Sequence, residues 1–285
     1  MLQAREFLLR LSLCRGLGRI SKVRVWKRAQ QLRCFDDLPR LVDGCQLSLR
    51  SQTALLNNWT SPELDRAVRV NQTQPHLTIV DPAYPASLRE IFCPPLVLFY
   101  AGDLSLLKRP RLGIVGARDA SAYGVGVLRG FLPEIVKHRL VVVSGLARGI
   151  DGLSHRVTLE CGGMTIGVIG CGLDHCYPAE NRQLQAAVAS RGLVLSEYGW
   201  GEPPLSFHFP ERNRIIAGLV QTLLVVEAKR RSGSLITANL ALDENRNVCA
   251  VPGRIDTIRS LGCNELIAAG AKPILRAQDL IDEFS

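Results

Sequence analysis

The sequence predicts an α/β protein: a mostly parallel β-sheet with helices on both faces, preceded by a small helical module. Two patterns carry that expectation. From Leu112 onward, short runs rich in Val, Ile and Leu alternate with stretches of helical periodicity. Strands that are apolar on both faces are buried on both faces, as in parallel sheets with crossover helices. Before Pro75, by contrast, the apolar residues recur at helical spacing and no strand-like run occurs. The 285 residues, 47% hydrophobic and with 25 glycines, suffice for one large domain and one small one, divided here at 1–75 and 76–285.

Residues 1–75 read as the small basic module. Around the turn Gly16-Leu17-Gly18, the stretch LLRLSLCRGLGRISKVRVWKRAQQL carries two helical patterns, with Leu17, Ile20, Val23 and Trp26 at spacings of three. Helix–GxG–helix resembles a helix-hairpin-helix, whose turn offers N–H groups to a nucleic-acid phosphate; a plain structural turn reads the same residues equally well. Arg15, Arg19, Lys22 and Arg24 surround it. The module holds 13 Lys/Arg against 6 Asp/Glu, while the other 210 residues hold 22 against 20, so most of the net +9 lies here. A basic module on a near-neutral body suggests an anionic partner, nucleic acid before membrane.

The amino-terminal apolar run is interrupted by Arg10 and Arg15 and lacks a cleavage site, so no signal peptide is expected. No run approaches the roughly 18 apolar residues of a membrane span, and a cytoplasmic protein is expected. Nine cysteines without a framework spacing suggest reduced thiols. Cys171, His175 and Cys176 lack a second ligand pair, so no metal site is expected.

Pro75, Pro82, Pro85, Pro94 and Pro95 break the next segment into extended pieces, and Leu96–Tyr100 reads as a strand ending at Gly102. Strand 112–117 leads to a helix near 122–138, strand 140–144 to a helix from Arg148, and strand 164–170 to a helix from Ala179. Strand 193–197 precedes the helix RNRIIAGL, strand 222–228 a helix near Ser234, and 247–253 closes the run. In open parallel sheets, ligands bind beyond the carboxyl ends of the strands.

Those ends share one chemistry. Gly116-Ala117-Arg118 follows the first strand; Ser144-Gly145 and Arg148 follow the second. Tyr177 and Arg182 lie beyond the third, suited to stack on a base and to reach a phosphate. Arg212, Asn213 and Arg214 follow the fourth; one arginine is expected to pair internally with Glu197 or Glu227 and the other to face the ligand. Lys229-Arg230-Arg231 and Ser232-Gly233-Ser234 follow the fifth, at a helix start suited to anions. Such repetition predicts one basic, hydroxyl-rich groove for a phosphate-bearing ligand. A full GxGxxG, a ribose-binding acid after the second strand and GxxxxGK[ST] are missing, which disfavours nicotinamide cofactors and P-loop chemistry. No nucleophile–histidine–carboxylate set or paired carboxylates at one strand end are apparent, and His155 and His208 are isolated, so no catalysis is expected.

The runs IVGARDASAYG, SGLARGIDGLSH, GCGLDHCYPAEN, SEYGWGEPP, FPERNRIIAGL, VVEAKRRSGSLITA and AVPGRI, in this order, resemble the bacterial DNA-processing protein A family (DprA, also called Smf) over about residues 78–275. The resemblance implies an extended Rossmann-like domain, with a SAM-like or helix-hairpin-helix-like domain in front. It implies a single-stranded-DNA-binding protein, not an enzyme and without a cofactor, that protects incoming DNA in natural transformation and loads the RecA recombinase. Carried over by position, Gly116 and Arg118 match the family's glycine–small–arginine phosphate motif. Ser144, Gly145 and Arg148 match its serine–glycine turn; Arg212, Asn213 and Arg214 its RNR signature; Ser232, Gly233 and Ser234 its SGS turn. Family members form homodimers, which would place Leu261, Leu266 and Ile267 near an interface.

Two departures stand out. Ala117 replaces the usual serine, and no carboxy-terminal winged helix is expected. A rival on the same fold is a nucleotide-processing hydrolase like the cytokinin-activating phosphoribohydrolases. Their PGGxGTxxE signature supplies a glutamate that EAKRRSGSLITA lacks. A passive nucleotide-sensing module would share the groove but gives no reason for the basic module.

Overall fold

The computed structural model describes residues 2–284. Five helices come first: α1 (Leu2–Leu13), α2 (Arg19–Leu32), α3 (Leu38–Val42), α4 (Leu49–Trp59) and α5 (Pro62–Asn71). Asp37, Ser48 and Ser61 cap α3, α4 and α5 by accepting from Arg40, Ser51 and Leu64 N–H groups at 3.1–3.2 Å. Each such cap stabilises its helix by about 1 kcal/mol. The helices close on an aromatic cluster in which Phe7 meets Trp26, Phe35 and Trp59 at centroid distances of 5.4–6.5 Å. Ile20, expected on the packed face of α2, is instead exposed, because α2 turns Val23, Val25, Trp26 and Ala29 inward.

The remainder comprises β1 (His76–Thr78), α6 (Ala86–Arg89), β2 (Val97–Gly102), β3 (Arg111–Val115), α7 (Ala122–Lys137), β4 (Val141–Ser144), α8 (Ile150–Glu160), β5 (Thr165–Ile169), α9 (Arg182–Arg191), β6 (Leu193–Ser196), α10 (His208–Leu219), β7 (Thr222–Val225), α11 (Gly233–Asp243), β8 (Asn247–Ala250), α12 (Leu261–Ala268), β9 (Lys272–Pro273) and α13 (Ala277–Ile281). One nine-stranded sheet runs β1-β2-β6-β5-β4-β3-β7-β8-β9. Every pairing from β6 to β9 is parallel. The expected Rossmann-like core is present. Two features go beyond the sequence reading. The expected strand ending at Gly102 is β2, but the Pro-rich segment also contributes β1, and the two extend the sheet antiparallel, with Tyr100 opposite Leu195. The sheet also does not close at β8, since Lys272–Pro273 add a short edge strand.

Strand periodicity sorts the core into layers. Leu112 and Ile114 of β3, Val142 of β4 and Leu224 of β7 face α7, α8 and α13, with Leu128, Leu132, Val157 and Leu280 against them. Val115, Val141, Val143, Leu223 and Val225 face the opposite way, toward α10 and α11, in a cluster continuous with Leu8, Leu11 and Trp26 of the amino-terminal helices. Successive side chains of a strand point to opposite faces, so a run of Val and Leu buries both. Burial also pushes the thiols of Cys249 and Cys263 up to about 12, which keeps them protonated and unreactive. Among the described residues no helix is long and apolar enough to cross a membrane.

The order of the strands places the site. From β3 the chain steps to β4, β5 and β6 on one side, then returns to β7 on the other. At that reversal the connections leave β3 and β7 toward opposite faces of the sheet, which opens a crevice beyond their carboxyl ends.

Candidate nucleic-acid interface

The crevice has a volume of about 250 Å³, and its walls come from Gly116–Asp119, the loop between β4 and α8, the first turn of α10, Lys229, and the start of α11. The loop after β4 is drawn tightly against the loop after β3. Gly149 there has φ +67°, and a Cβ would sit 2.2 Å from the Ala117 carbonyl oxygen, so only glycine fits. Ile150 N–H donates to that same carbonyl at 3.1 Å, and α8 therefore begins two residues later than the sequence suggests. Asn181 is buried and donates through Nδ2 to the carbonyls of Leu146 and Ala147 at 3.0 and 3.1 Å, holding the loop from the far side.

The helix starts beyond β3 and β7 are not equivalent. At α7, Ser121 caps the helix by accepting from Gly124 N–H at 3.3 Å. The buried Glu227 then accepts from Ser121 N–H at 2.9 Å and from Ser121 Oγ–H. A carboxylate of the protein itself thus occupies the place where a dinucleotide's phosphate would meet the first helix. At α11, Ser232 makes no side-chain cap; its hydroxyl instead pairs with Ser234 Oγ at 2.8 Å. Gly233 is exposed with open space where a Cβ would stand. Eleven residues of helix thus present an uncapped positive end, with Ser232, Gly233, Ser234 and Thr237, to the crevice.

Opposite that helix start stands Arg118, exposed and, among the described residues, without a side-chain hydrogen bond or ion pair. Beside it Asp119 accepts from Lys229 at 3.1 Å and from Arg259 at 2.8 Å, which holds its carboxyl below the usual range. Asn213 also lines the crevice; its Oδ1 accepts from Arg212 Nε at 3.3 Å, leaving its amide free to donate.

Three of the predicted contact residues point away. Ser144 is fully buried and donates to the Ile114 carbonyl at 2.6 Å, so its hydroxyl ties β4 to β3. Arg212 is buried in the crevice floor and donates to the carbonyls of Gly145, at 2.6 Å, and Val168. Gly145 has no room for a Cβ, which would fall 2.5 Å from Arg212 Nη2 and 2.6 Å from Asp151 Oδ2. Asp151 accepts from Gly145 N–H at 3.2 Å, and burial pushes its carboxyl up although the Arg212 charge opposes this. Arg214 is buried against Glu197 at 2.6 Å. The internal pair expected within the RNR run is Arg214 with Glu197. The other half of the expectation is corrected, because Arg212, though it borders the crevice, is buried and spends Nη1 on backbone carbonyls, which leaves Asn213 as the member of the run with a free donor there.

The other predicted residues lie further out. Tyr177 is about half exposed and packs on Phe209 at a centroid distance of 5.0 Å, so two aromatic rings flank the crevice. Arg148 is exposed and pairs with Glu180 at 2.7 Å. Arg182 opens onto a separate hollow with Asp174, His175 and Cys176. Leu261, Leu266 and Ile267 lie on α12, half-buried, with Leu266 and Ile267 packed on their own core. Phe209, Asp119 and the capping role of Glu227 lie outside the site expected from the sequence. An acidic residue closing a buried apolar run, opposite a Ser-x-x-Gly helix start, was the available signal for the last.

The model for the family described as DNA recombination-mediator protein A matches residues 75–285. The DNA processing protein DprA of Streptococcus pneumoniae is 49% identical over 213 residues, 75% of each chain. That of Bacillus subtilis is 44% identical over 226 residues, 78% of this chain and 76% of its own. The X-ray structure of DprA from S. pneumoniae aligns with a TM-score of 0.90 at 40% identity, covering 99% of this chain and 98% of that one. A Helicobacter pylori structure concerned with the single-stranded DNA binding mode of DNA processing protein A aligns with a TM-score of 0.67 at 30% identity, over 75% and 97%.

Proposed function

This chain belongs to the DNA recombination-mediator protein A family, and on that premise we propose that it binds single-stranded DNA in the crevice between β3 and β7. The observation that carries the reading is the asymmetry of the two helix starts. Glu227 closes α7 to an anion, while α11 stays open opposite the unpaired Arg118. A backbone phosphate meets both helix dipole and guanidinium there, and the neighbouring phosphates extend toward Arg148. Tyr177 and Phe209 supply faces on which bases stack without regard to sequence. Buried Ser144 and Arg214 lie behind the crevice and do not touch the strand, while Arg212 in its floor is held by backbone carbonyls.

Bound in this way, the strand is shielded during natural transformation and passed to the RecA recombinase, with the protein working in the cytoplasm as a homodimer through the α12 region. Residues 1–75 and 76–285 are two domains in this reading. We read the chain as a binding protein rather than a hydrolase, a reading supported by α11, which carries no carboxylate before Asp243 at its far end, and by Glu227, which is committed to Ser121.

Fluorescence anisotropy with labelled single-stranded, duplex and mononucleotide ligands, at two salt concentrations, tests the reading. Wild type should bind the single strand with a steep salt dependence, and Arg118→Ala should weaken that binding and lower the slope by about 0.7. Binding confined to the mononucleotide, or indifferent to Arg118, would overturn it.

A further inference from the structure

We infer that the single strand continues out of the crevice into the cleft between the amino-terminal helices and the sheet, so that the helical module is the second half of the DNA-binding surface. The inference rests on the reading of the crevice given above. The cleft measures about 580 Å³; the Cys14–Arg19 turn forms one wall, and Tyr198, Phe207 and His208 belong to the other. It runs on into a cavity of about 400 Å³ containing Arg66 and Trp200, and Leu13 and Arg15 line both. At its other end the cleft adjoins the crevice through consecutive residues: Phe207 and His208 line the one, Phe209 and Pro210 the other. Trp200 follows the carboxyl end of β6, four strands from β7, so the whole track spans roughly 19 Å of a single sheet edge at about 4.8 Å per strand.

The chemistry along this track suits an extended polyanion with flat bases. Where α3, α4 and α5 each have a side-chain cap, α2 starts at Gly18 with no side-chain acceptor and no acid in its first turn. Its free N–H end lies in the cleft. Arg19 faces Glu211 at 3.4 Å, and its Nη1 is buried without a hydrogen bond. Arg15, 83% exposed, faces Glu202 at 3.5 Å. Neither ion pair makes a hydrogen bond, and both carboxylates act as counter-ions that an entering phosphate displaces. Arg66 and Arg69, one turn apart on α5, are exposed and, among the described residues, have no partner; Glu63 is the acid on that side. Trp26 and Trp59 belong to the aromatic cluster of the module, whereas Trp200 is 46% exposed and Phe207 57%. Aromatic faces interleaved with cations recognise single strands, since a duplex keeps its bases stacked inside.

The test compares oligo-dT of about 3 nucleotides, which covers only about half of that track at roughly 3.4 Å per nucleotide, with oligo-dT of about 25, bracketing the usual site sizes, on the full chain by anisotropy. The double variant Trp200→Ala, Phe207→Ala should bind the short strand as wild type does and the long one at least roughly 30-fold more weakly, at about 1 kcal/mol or more for each stacking face lost. Arg66→Ala, at an exposed side chain, should lower the salt slope for the long strand by about 0.7 and leave the short one alone. Melting temperatures establish that the variants are folded. If both bind the long strand like wild type while Arg118→Ala weakens both lengths, the continuation is wrong and the crevice reading stands. If wild type binds neither strand, the crevice reading fails and takes the continuation with it.

Discussion

Asp119→Asn should make the protein bind single-stranded DNA more tightly. The Asp119 carboxylate lies on the lip of the crevice, one residue from Arg118, and accepts from Lys229 at 3.1 Å and Arg259 at 2.8 Å. All three side chains are between a third and a half exposed, so the cluster stands in solvent and contributes little to folding. As long as the carboxylate is charged it neutralises cations that a phosphate would otherwise meet. Asparagine keeps the shape and an acceptor oxygen but frees up to two positive charges. On a single strand each additional phosphate contact steepens the dependence of log K on log salt by about 0.7. Relative to 1 M salt, where such contacts count for little, one freed cation is worth roughly 5-fold in affinity at 0.1 M and two roughly 25-fold. Anisotropy titrations between 0.05 and about 0.5 M salt read both the gain and its slope. The reasoning is refuted if Asp119→Asn binds no tighter than wild type at low salt, or if it binds tighter with an unchanged slope.

The remaining expectations concern the scaffold beneath the crevice. Gly145→Ala drives a methyl group between Arg212 and Asp151 and should cost roughly 3 kcal/mol in urea unfolding, since Arg212 would lose buried carbonyl partners; a change under about 1 kcal/mol would contradict the contact geometry. Glu227→Gln should leave the fold intact but weaken the closure of α7, seen as faster amide exchange at Ser121 and Gly124, with exchange unchanged counting against the cap. His155 is fully buried, bonded through Nδ1 to Thr165 Oγ1 at 2.6 Å, and burial lowers its pKa to about 3. An unfolded histidine titrates near 6.5, so the unfolded chain takes up protons first. The associated stability is complete above about pH 6.5 and falls as pH drops toward 3, by about 2 kcal/mol at pH 5. His155→Gln should flatten that slope between pH 7 and 5, whatever it does to stability at pH 7.

How much of this was legible in the sequence depends on the range of the interaction. The parallel strands could be read because strands buried on both faces must be apolar throughout, as Val141–Val143 and Leu223–Val225 are. β9 was not, because two residues hold no period. Arg118 and the Ser232–Ser234 turn could be placed because the end of a parallel strand already says where a ligand sits. The RNR run shows where that reasoning stops. Three consecutive residues on a helix point in directions about 100° apart, and which direction meets carbonyls depends on strands far away. Arg212 meets Gly145 and Val168, 67 and 44 residues distant, and Arg214 meets Glu197. Composition cannot distinguish a guanidinium satisfied by converging carbonyls from one left for phosphate. The structure separates them, and the separation has a consequence for binding. Cations under the floor hold the crevice in shape, and their loss must lower stability and affinity together. Cations on its lip, Arg118 and the pair masked by Asp119, set affinity and salt dependence with the fold unchanged.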